Sequence, residues 1–276
     1  MNRKSSPAGR LLLALTFLFL YLPIVVLIVF SFNSSKSRSV WSGFTFSWYG
    51  SLFRDTAVLS SLYVTLLVAV LSAVIATVFG TFAAIGFFNM RRRWRNPLLT
   101  INNIPMVNAD IITGVSLSLL FISAGAVLRF NLGFGTLLLA HISFNIPYVV
   151  LSVMPKLYQM DKNLMEAAQD LGCTWFKAMR KVLLPEIMPG IVNGMIIAFT
   201  MSIDDFVISY FTAGSQVQTL SMTIYSMTRR RVSPEINAIS TLLFAAVLLC
   251  LAVINLREAR QSKAKEARAK ALDIPA

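Results

Sequence analysis

Residues 156–186 read KLYQMDKNLMEAAQDLGCTWFKAMRKVLLPE, and the fold turns on how this stretch is read. It is the one long polar segment between two apolar runs, 134–155 and 187–212. Asp161 stands where a helix N-cap belongs, and Leu164, Ala168 and Leu171 follow at i, i+4 and i+7, one face of a helix. Gly172 ends that helix by taking the left-handed conformation that a C-terminal stop requires. Thr174 caps a second short helix with Trp175, Met179 and Val182 along one side, and Pro185 and Pro189 break the chain before the next apolar run. The expected product is a helix–Gly–helix elbow held against a membrane surface.

Working outward, six stretches reach the roughly 20 apolar residues that a membrane-crossing helix needs. They are about 11–32, 60–88, 98–124, 134–155, 187–212 and 236–256. Hydrophobic residues make up 56% of the chain and charged residues 13%, too few charges to cover a soluble surface of 276 residues. The first run follows a basic start (Arg3, Lys4, Arg10), as a secretory signal would. It is longer than a signal core and no small-residue cleavage site follows, so it is read as an uncleaved span.

The net charge of +13 orients the chain. With both ends in the cytoplasm, 18 of the 25 Lys and Arg residues fall inside, among them Arg91–Arg93, Arg95, Lys156, Lys162, Lys177, Arg180, Lys181 and the tail from Arg257. Seven fall outside, including the run Arg229–Arg231. The basic excess is membrane orientation and contact with anionic lipid, with no nucleic-acid partner. Cys173 and Cys250 face the reducing side or lipid, so no disulfide is expected, and the single His141 forms no metal-ligand cluster. His141 is read as a packed, hydrogen-bonded residue of the fourth span. The aromatic loop Trp41, Phe44, Phe46, Trp48 and Tyr49 fits a membrane interface or a docking surface for an outside partner.

Asp110, Asp204 and Asp205 lie within or near spans. Carboxylates there cost at least ~2.5 kcal/mol each, so they face a pathway or a partner. On a continuous fifth helix, Asp204 and Asp205 point about 100° apart, so one of them lines a pathway with Asp110 and the other pairs with a neighbouring span. The competing reading is a network that locks the spans together, with Arg129 or Ser202 as partners. Gly80 with Ala84, and Gly190 with Gly194, are small-xxx-small pairs that let helices approach closely.

The loop pattern strongly resembles the EAA loop of permeases in ATP-binding-cassette importers: Glu166-Ala167-Ala168, Gly172 six residues after the glutamate, Leu184-Pro185 and Pro189-Gly190. The resemblance covers nearly the whole chain and is strongest to permeases of the spermidine/putrescine (PotC-type) family. It is carried by Ser31-Phe32-Asn33-Ser34-Ser35, Asn108-Ala109-Asp110-Ile111, His141-Ile142-Ser143-Phe144, Ser202-Ile203-Asp204-Asp205 and Val232-Ser233-Pro234-Glu235-Ile236-Asn237-Ala238. One departure is Asn108-Ala109, where the family has Ser-Pro, which removes a helix-breaking proline.

This resemblance implies an all-α integral membrane protein with six transmembrane helices and the type I, MetI-like permease architecture. It also implies one permease domain over 1–276, with the coupling loop at 156–186 and a charged cytoplasmic tail at 257–276. Glu166, Ala167, Ala168, Asp170, Gly172, Leu184 and Pro185 would couple to a cytoplasmic ATP-binding dimer. Asp110 and Asp204 or Asp205 would line a polyamine pathway. Further implied partners are a second, PotB-like permease and an extracytoplasmic polyamine-binding protein, in a bacterial inner membrane. The chain has no Gly-rich Lys-Ser/Thr phosphate loop, so no ATP hydrolysis and no cofactor are expected in it. The rivals are a secondary transporter or channel working alone, an importer permease for another small solute, and a structural membrane protein.

Overall fold

Backbone amides in hydrocarbon have no water to bond, and a helix satisfies them within one segment. A computed structural model describes residues 7–35, 40–161, 163–230, 235–249 and 252. Among these the regular structure is helical, apart from one isolated antiparallel bridge between Asn33 and Phe44. Arg3, Lys4, Lys36, Arg38, Lys162, Arg231 with Val232–Pro234, Cys250 and the basic tail lie outside the described residues.

The helices are α1 (Pro7–Phe30), α2 (Ser47–Leu52), α3 (Thr56–Asn89), α4 (Arg92–Val107), α5 (Asp110–Leu128), α6 (Phe134–Gln159), α7 (Leu164–Asp170), α8 (Trp175–Ala178), α9 (Leu184–Asp204), α10 (Val207–Thr212), α11 (Leu220–Arg230) and α12 (Glu235–Leu249). Five helical stretches are long and apolar enough to cross a membrane: Gly9–Phe30, Thr56–Asn89, Asp110–Leu128, Phe134–Gln159 and Trp175–Asp204. The sixth expected span begins in α12, which reaches the edge of the described residues.

Two expected spans differ from the sequence reading. The third is two helices, because Asn108 (ψ 149°) and Ala109 (ψ 135°) are extended. Pro105 in the last turn of α4 already removes a backbone donor there, so the helix stops without a proline at 109. The fifth starts earlier than expected and stops sooner. Pro185 and Pro189 do not break it: α8 runs through a π turn at Met179–Leu183 into α9, and the N–H of Leu184 bonds the carbonyl of Met179. The wider π loop absorbs the donor that Pro185 lacks. At its far end α9 stops at Asp204, and α10 follows after Asp205 and Phe206.

The backbone divides into two units, Met1–Leu59 with Ile224–Ala276, and Ser60–Thr223. In the first, the Ser31–Ser35 segment is tied down by its own side chains. Asn33 donates from Nδ2 to the carbonyl of Val40 (2.8 Å) and accepts from the N–H groups of Ser35 and Ser42, while Trp48 donates to the Asn33 carbonyl (2.7 Å). Phe32 then packs among Phe44, Phe46 and Tyr49, with ring centroids 5.3–5.4 Å away.

In the second unit α6 and α9 pack along their lengths, with Val149, Val153, Leu157, Ile187 and Ala198 fully buried. Glycines permit this. A Cβ on Gly190 would stand 2.9 Å from the Ser152 carbonyl oxygen, and one on Gly194 would stand 3.1 Å from Val149 Cα. On α3, a Cβ on Gly80 would come within 2.7 Å of Val149 Cβ. The small-residue pairs therefore serve packing inside this chain. A Gly190→Val substitution is expected to destabilise the α6–α9 contact by about 1–3 kcal/mol. A lower melting temperature of the purified, detergent-solubilised chain would register it; an unchanged value would refute the close-packing account.

Candidate functional site

Two regions hold the residues singled out in the sequence, one at each end of the Trp175–Asp204 helix. At the first, α7 is stopped as its glycine demands. Gly172 has φ +84°, its N–H bonds the carbonyl of Gln169 (2.8 Å), and the Cys173 N–H reaches back to Ala168 (3.1 Å). These two bonds make a Schellman stop, which few residues other than glycine can close. Asp161 is not the N-cap of α7. Its carboxylate accepts from the Asn163 N–H (3.0 Å), forming a turn ahead of the helix, and Asn163 occupies the cap position. Thr174 occupies the N-cap position of α8 but its hydroxyl makes no capping hydrogen bond, and of the expected Trp175/Met179/Val182 side Trp175 is exposed while Met179 is buried.

The inward face of α7 consists of Met165 and Ala168, three residues apart, so the expected Leu164/Ala168/Leu171 face is rotated. Leu171 is 86% exposed, with Trp175 at 55% and Phe176 at 63%. Glu166, Ala167, Asp170, Gly172 and Pro185 are exposed too, while Leu184 packs against the core. Among the described residues Glu166 and Asp170 make no ion pair. The elbow thus offers apolar side chains and two carboxylates without ion-pair partners on one short exposed segment.

At the other end, the two helix breaks meet at a cavity of about 290 Å³. Asp110 opens α5, Asp204 closes α9, and Asp205 follows it; all three line the cavity, with Phe144 and Tyr148 of α6 and Met201 of α9. Asp110 sits in the first turn of α5, where the helix dipole favours a carboxylate. Asp204 and Asp205 do not share a helix, so the expected 100° splay does not apply: Asp205 is extended (φ −61°, ψ 127°).

Behind this cavity lies a fully buried polar cluster. His141 Nδ1 pairs with Ser202 Oγ and Nε2 with Ser209 Oγ, both at 3.0 Å. Asn145 donates to Ser202 Oγ (2.9 Å), and Ser202 pairs with Ser72 Oγ (2.9 Å). His141 Nε2 is 3.5 Å from Asp205 Oδ2. His141 is thus packed and hydrogen-bonded, as expected. Ser202 belongs to the network, but Arg129 has no part in it; Arg129 ends α5 in the left-handed region (φ 56°). Ser72, Asn145 and Ser209 escaped the sequence reading. His141 and Asn145, four apart on one helix, were the available signal.

Three comparisons with known proteins bear on this architecture. Residues 76–259 match the family model described as "Binding-protein-dependent transport system inner membrane component". The putrescine transport system permease protein PotI of Escherichia coli K12 is 40% identical over 216 residues, 77% of each chain. The spermidine/putrescine transport system permease protein PotC of the same strain is 37% identical over 209 residues, 76% of this chain and 78% of that one. PotC of Haemophilus influenzae is 34% identical over 218 residues, 79% of this chain and 82% of that one. Among solved structures, a bacterial ABC transporter that imports alginate superposes with a TM-score of 0.68 at 16% identity, covering 92% of this chain and 98% of that one. The methionine ABC transporter MetNI, in an inward-facing conformation, gives 0.60 at 21%, covering 74% and 95%. The fold is that of type I ABC importer permeases.

The buried cluster predicts a stability effect. His141→Leu leaves the Ser202 and Ser209 hydroxyls facing an apolar side chain, at a cost of about 1–3 kcal/mol. The melting temperature of the purified chain should fall, and His141→Gln should recover part of the loss; equal stability of the Leu variant would show that the cluster does not hold the helices.

Proposed function

The chain belongs to the family of inner membrane components of binding-protein-dependent transport systems, and from that membership we propose that it is the permease of a polyamine ABC importer. Substrates are putrescine and spermidine, delivered by an extracytoplasmic binding protein. A cytoplasmic ATP-binding dimer and a second, PotB-like permease complete the assembly, and both ends of this chain lie in the cytoplasm. The chain makes and breaks no covalent bond and takes no cofactor; hydrolysis happens on the partner, and this subunit contributes half of the pathway.

The observation that carries the reading is the convergence of Asp110 and Asp204 with Phe144 and Tyr148 on one cavity. A polyamine presents separated ammonium groups joined by methylenes. Carboxylates answer the charges and aromatic faces answer both the cations and the linkers. The names of relatives at 34–40% identity support the same chemistry. The exposed elbow supports coupling: Leu171, Trp175 and Phe176 give an apolar contact, and Glu166 and Asp170 can meet basic groups of an ATPase groove. Ala168 keeps α7 close to the π turn, so the elbow moves with α9 as one body.

Liposomes containing this chain and its partner subunits should take up labelled putrescine and spermidine only when ATP is supplied. Asp110→Asn should raise the KM about tenfold, a loss of about 1.4 kcal/mol. Gly172→Val places a β-branched residue at φ +84° and should abolish coupled uptake, since left-handed backbone costs such residues roughly 1–2 kcal/mol. Uptake without ATP would replace this reading with a secondary transporter. Stimulated ATP hydrolysis without polyamine uptake would keep the permease and discard the substrate.

A further inference from the structure

We propose that Asp205 is a positioning residue that holds the α9–α10 break, which leaves Asp204 as the substrate carboxylate of the pair. This rests on the polyamine-permease reading for the word substrate, and on geometry for the rest. The Asp205 carboxylate is already occupied. Its Oδ1 accepts from the Ile208 N–H (3.3 Å), and its Oδ2 accepts from the Ser209 N–H (2.8 Å) and the Ser209 hydroxyl (2.7 Å). These are amides left open in the first turn of α10, on residues that are buried away from water. The side chain is only 9% exposed. Asp204 is exposed and, among the described residues, takes no hydrogen bond from another side chain. One carboxylate of the pair is committed to the first turn of α10, and the other stands exposed at the cavity.

The donor directions reinforce the assignment. A carboxylate can only accept, so the Ser209 hydroxyl proton points to Asp205. Ser209 Oγ then accepts from His141 Nε2–H, and His141 Nδ1 accepts from the Ser202 hydroxyl. Ser202 in turn accepts from Asn145 and pairs with Ser72, whose hydroxyl also reaches the Ala69 carbonyl. One directed chain, Asn145 to Ser202 to His141 to Ser209 to Asp205, links α6, α9 and α10 and ends on the cap. Every member polarises the next in the same sense.

The cap also sets the second acid. α5 crosses α10 at Gly114, where an added Cβ would stand 3.1 Å from Phe211 Cδ2 and 3.3 Å from Ile208 Cα. Asp110 begins that same α5, so the position of α10 fixes the register of Asp110 against Asp204. Loss of the cap would therefore disturb the spacing of the two binding carboxylates without touching either.

Substitutions that separate charge from capping test this. Phe206 stands at the N-cap of α10 and Asp205 bonds its first turn from one residue before; there Asn and Ser keep an acceptor and Ala does not. In liposomes with the partner subunits, Asp205→Asn and Asp205→Ser should hold the KM for putrescine within about twofold of wild type and keep most of the maximal rate. Asp205→Ala should lose at least about tenfold in maximal rate, with a lower melting temperature of the purified chain. Asp204→Asn should raise KM at least about tenfold at an unchanged melting temperature. A KM rise in Asp205→Asn equal to that in Asp204→Asn overturns the assignment. If wild type takes up neither polyamine, the functional reading fails, and the melting temperatures alone decide the cap: Ala below Asn and Ser sustains it, and three equal values refute it.

Discussion

An unpaired amide in hydrocarbon is the constraint on which the rest of this structure depends. A continuous helix meets it without help, and so a membrane chain can interrupt its helices only where something else bonds the freed groups. This chain interrupts two of its apolar runs, at Asn108–Ala109 and at Asp205–Phe206, and both interruptions border the same cavity. Each puts a carboxylate at the break. Asp110 sits in a first turn with its charge toward the positive end of the α5 dipole. Asp205 bonds the Ile208 and Ser209 amides in the first turn of α10. Asp205 is tolerated in the membrane because the α9–α10 break needs it, and both breaks border a cavity because broken backbone must line one.

The second requirement is a rigid frame around that cavity, and the frame comes from small residues. Gly80, Gly190 and Gly194 bring α3 and α9 against α6 near Val149, Ser152 and Val153, too close for a β-carbon. Dispersion and shape hold such contacts in lipid, where burial of apolar surface between helices gives little. The polar cluster of Ser72, His141, Asn145 and Ser202 adds direction that apolar packing lacks, because its bonds fix rotation as well as distance.

Much of this was legible in the residues. Apolar runs of about 20 residues marked the helices, since side-chain hydropathy is what lipid selects. Gly172 was legible because a positive φ at a helix stop has few other occupants. The breaks were not. Asp204-Asp205 reads as two charges on a helix, because hydropathy counts side chains and does not register a cap. The capping role of Asp205 becomes visible only when Ser209, four residues on, turns its N–H and hydroxyl to the same oxygen. Asn108–Ala109 hid its break for the opposite reason: the proline expected there was missing, and Pro105 one turn earlier had weakened the helix already. Asn145 and Ser72 stayed hidden because their partners lie on other helices, 57 to 130 positions away in the chain.

The longest consequence concerns the helical rod from Trp175 to Asp204. Its 30 residues extend for roughly 45 Å at 1.5 Å each. The rod has the exposed aromatics of the elbow, Trp175 and Phe176, at one end and the exposed carboxylate, Asp204, at the other. Between them, Gly190 and Gly194 lock it onto α6, which supplies Phe144 and Tyr148 to the same cavity. A push on the elbow therefore cannot move Asp204 past Tyr148 by sliding α9 along α6 without opening the close contacts at Gly190 and Gly194. The cheaper response is for α6 and α9 to travel together, carrying Asp204, Phe144 and Tyr148 as a set. Asp110 is on α5 and outside that pair, and its register is held through the short α10 and the Asp205 cap. The relative motion that would open or close the cavity then falls on α10 and the two breaks, where the helices are already interrupted and the fewest backbone bonds have to change.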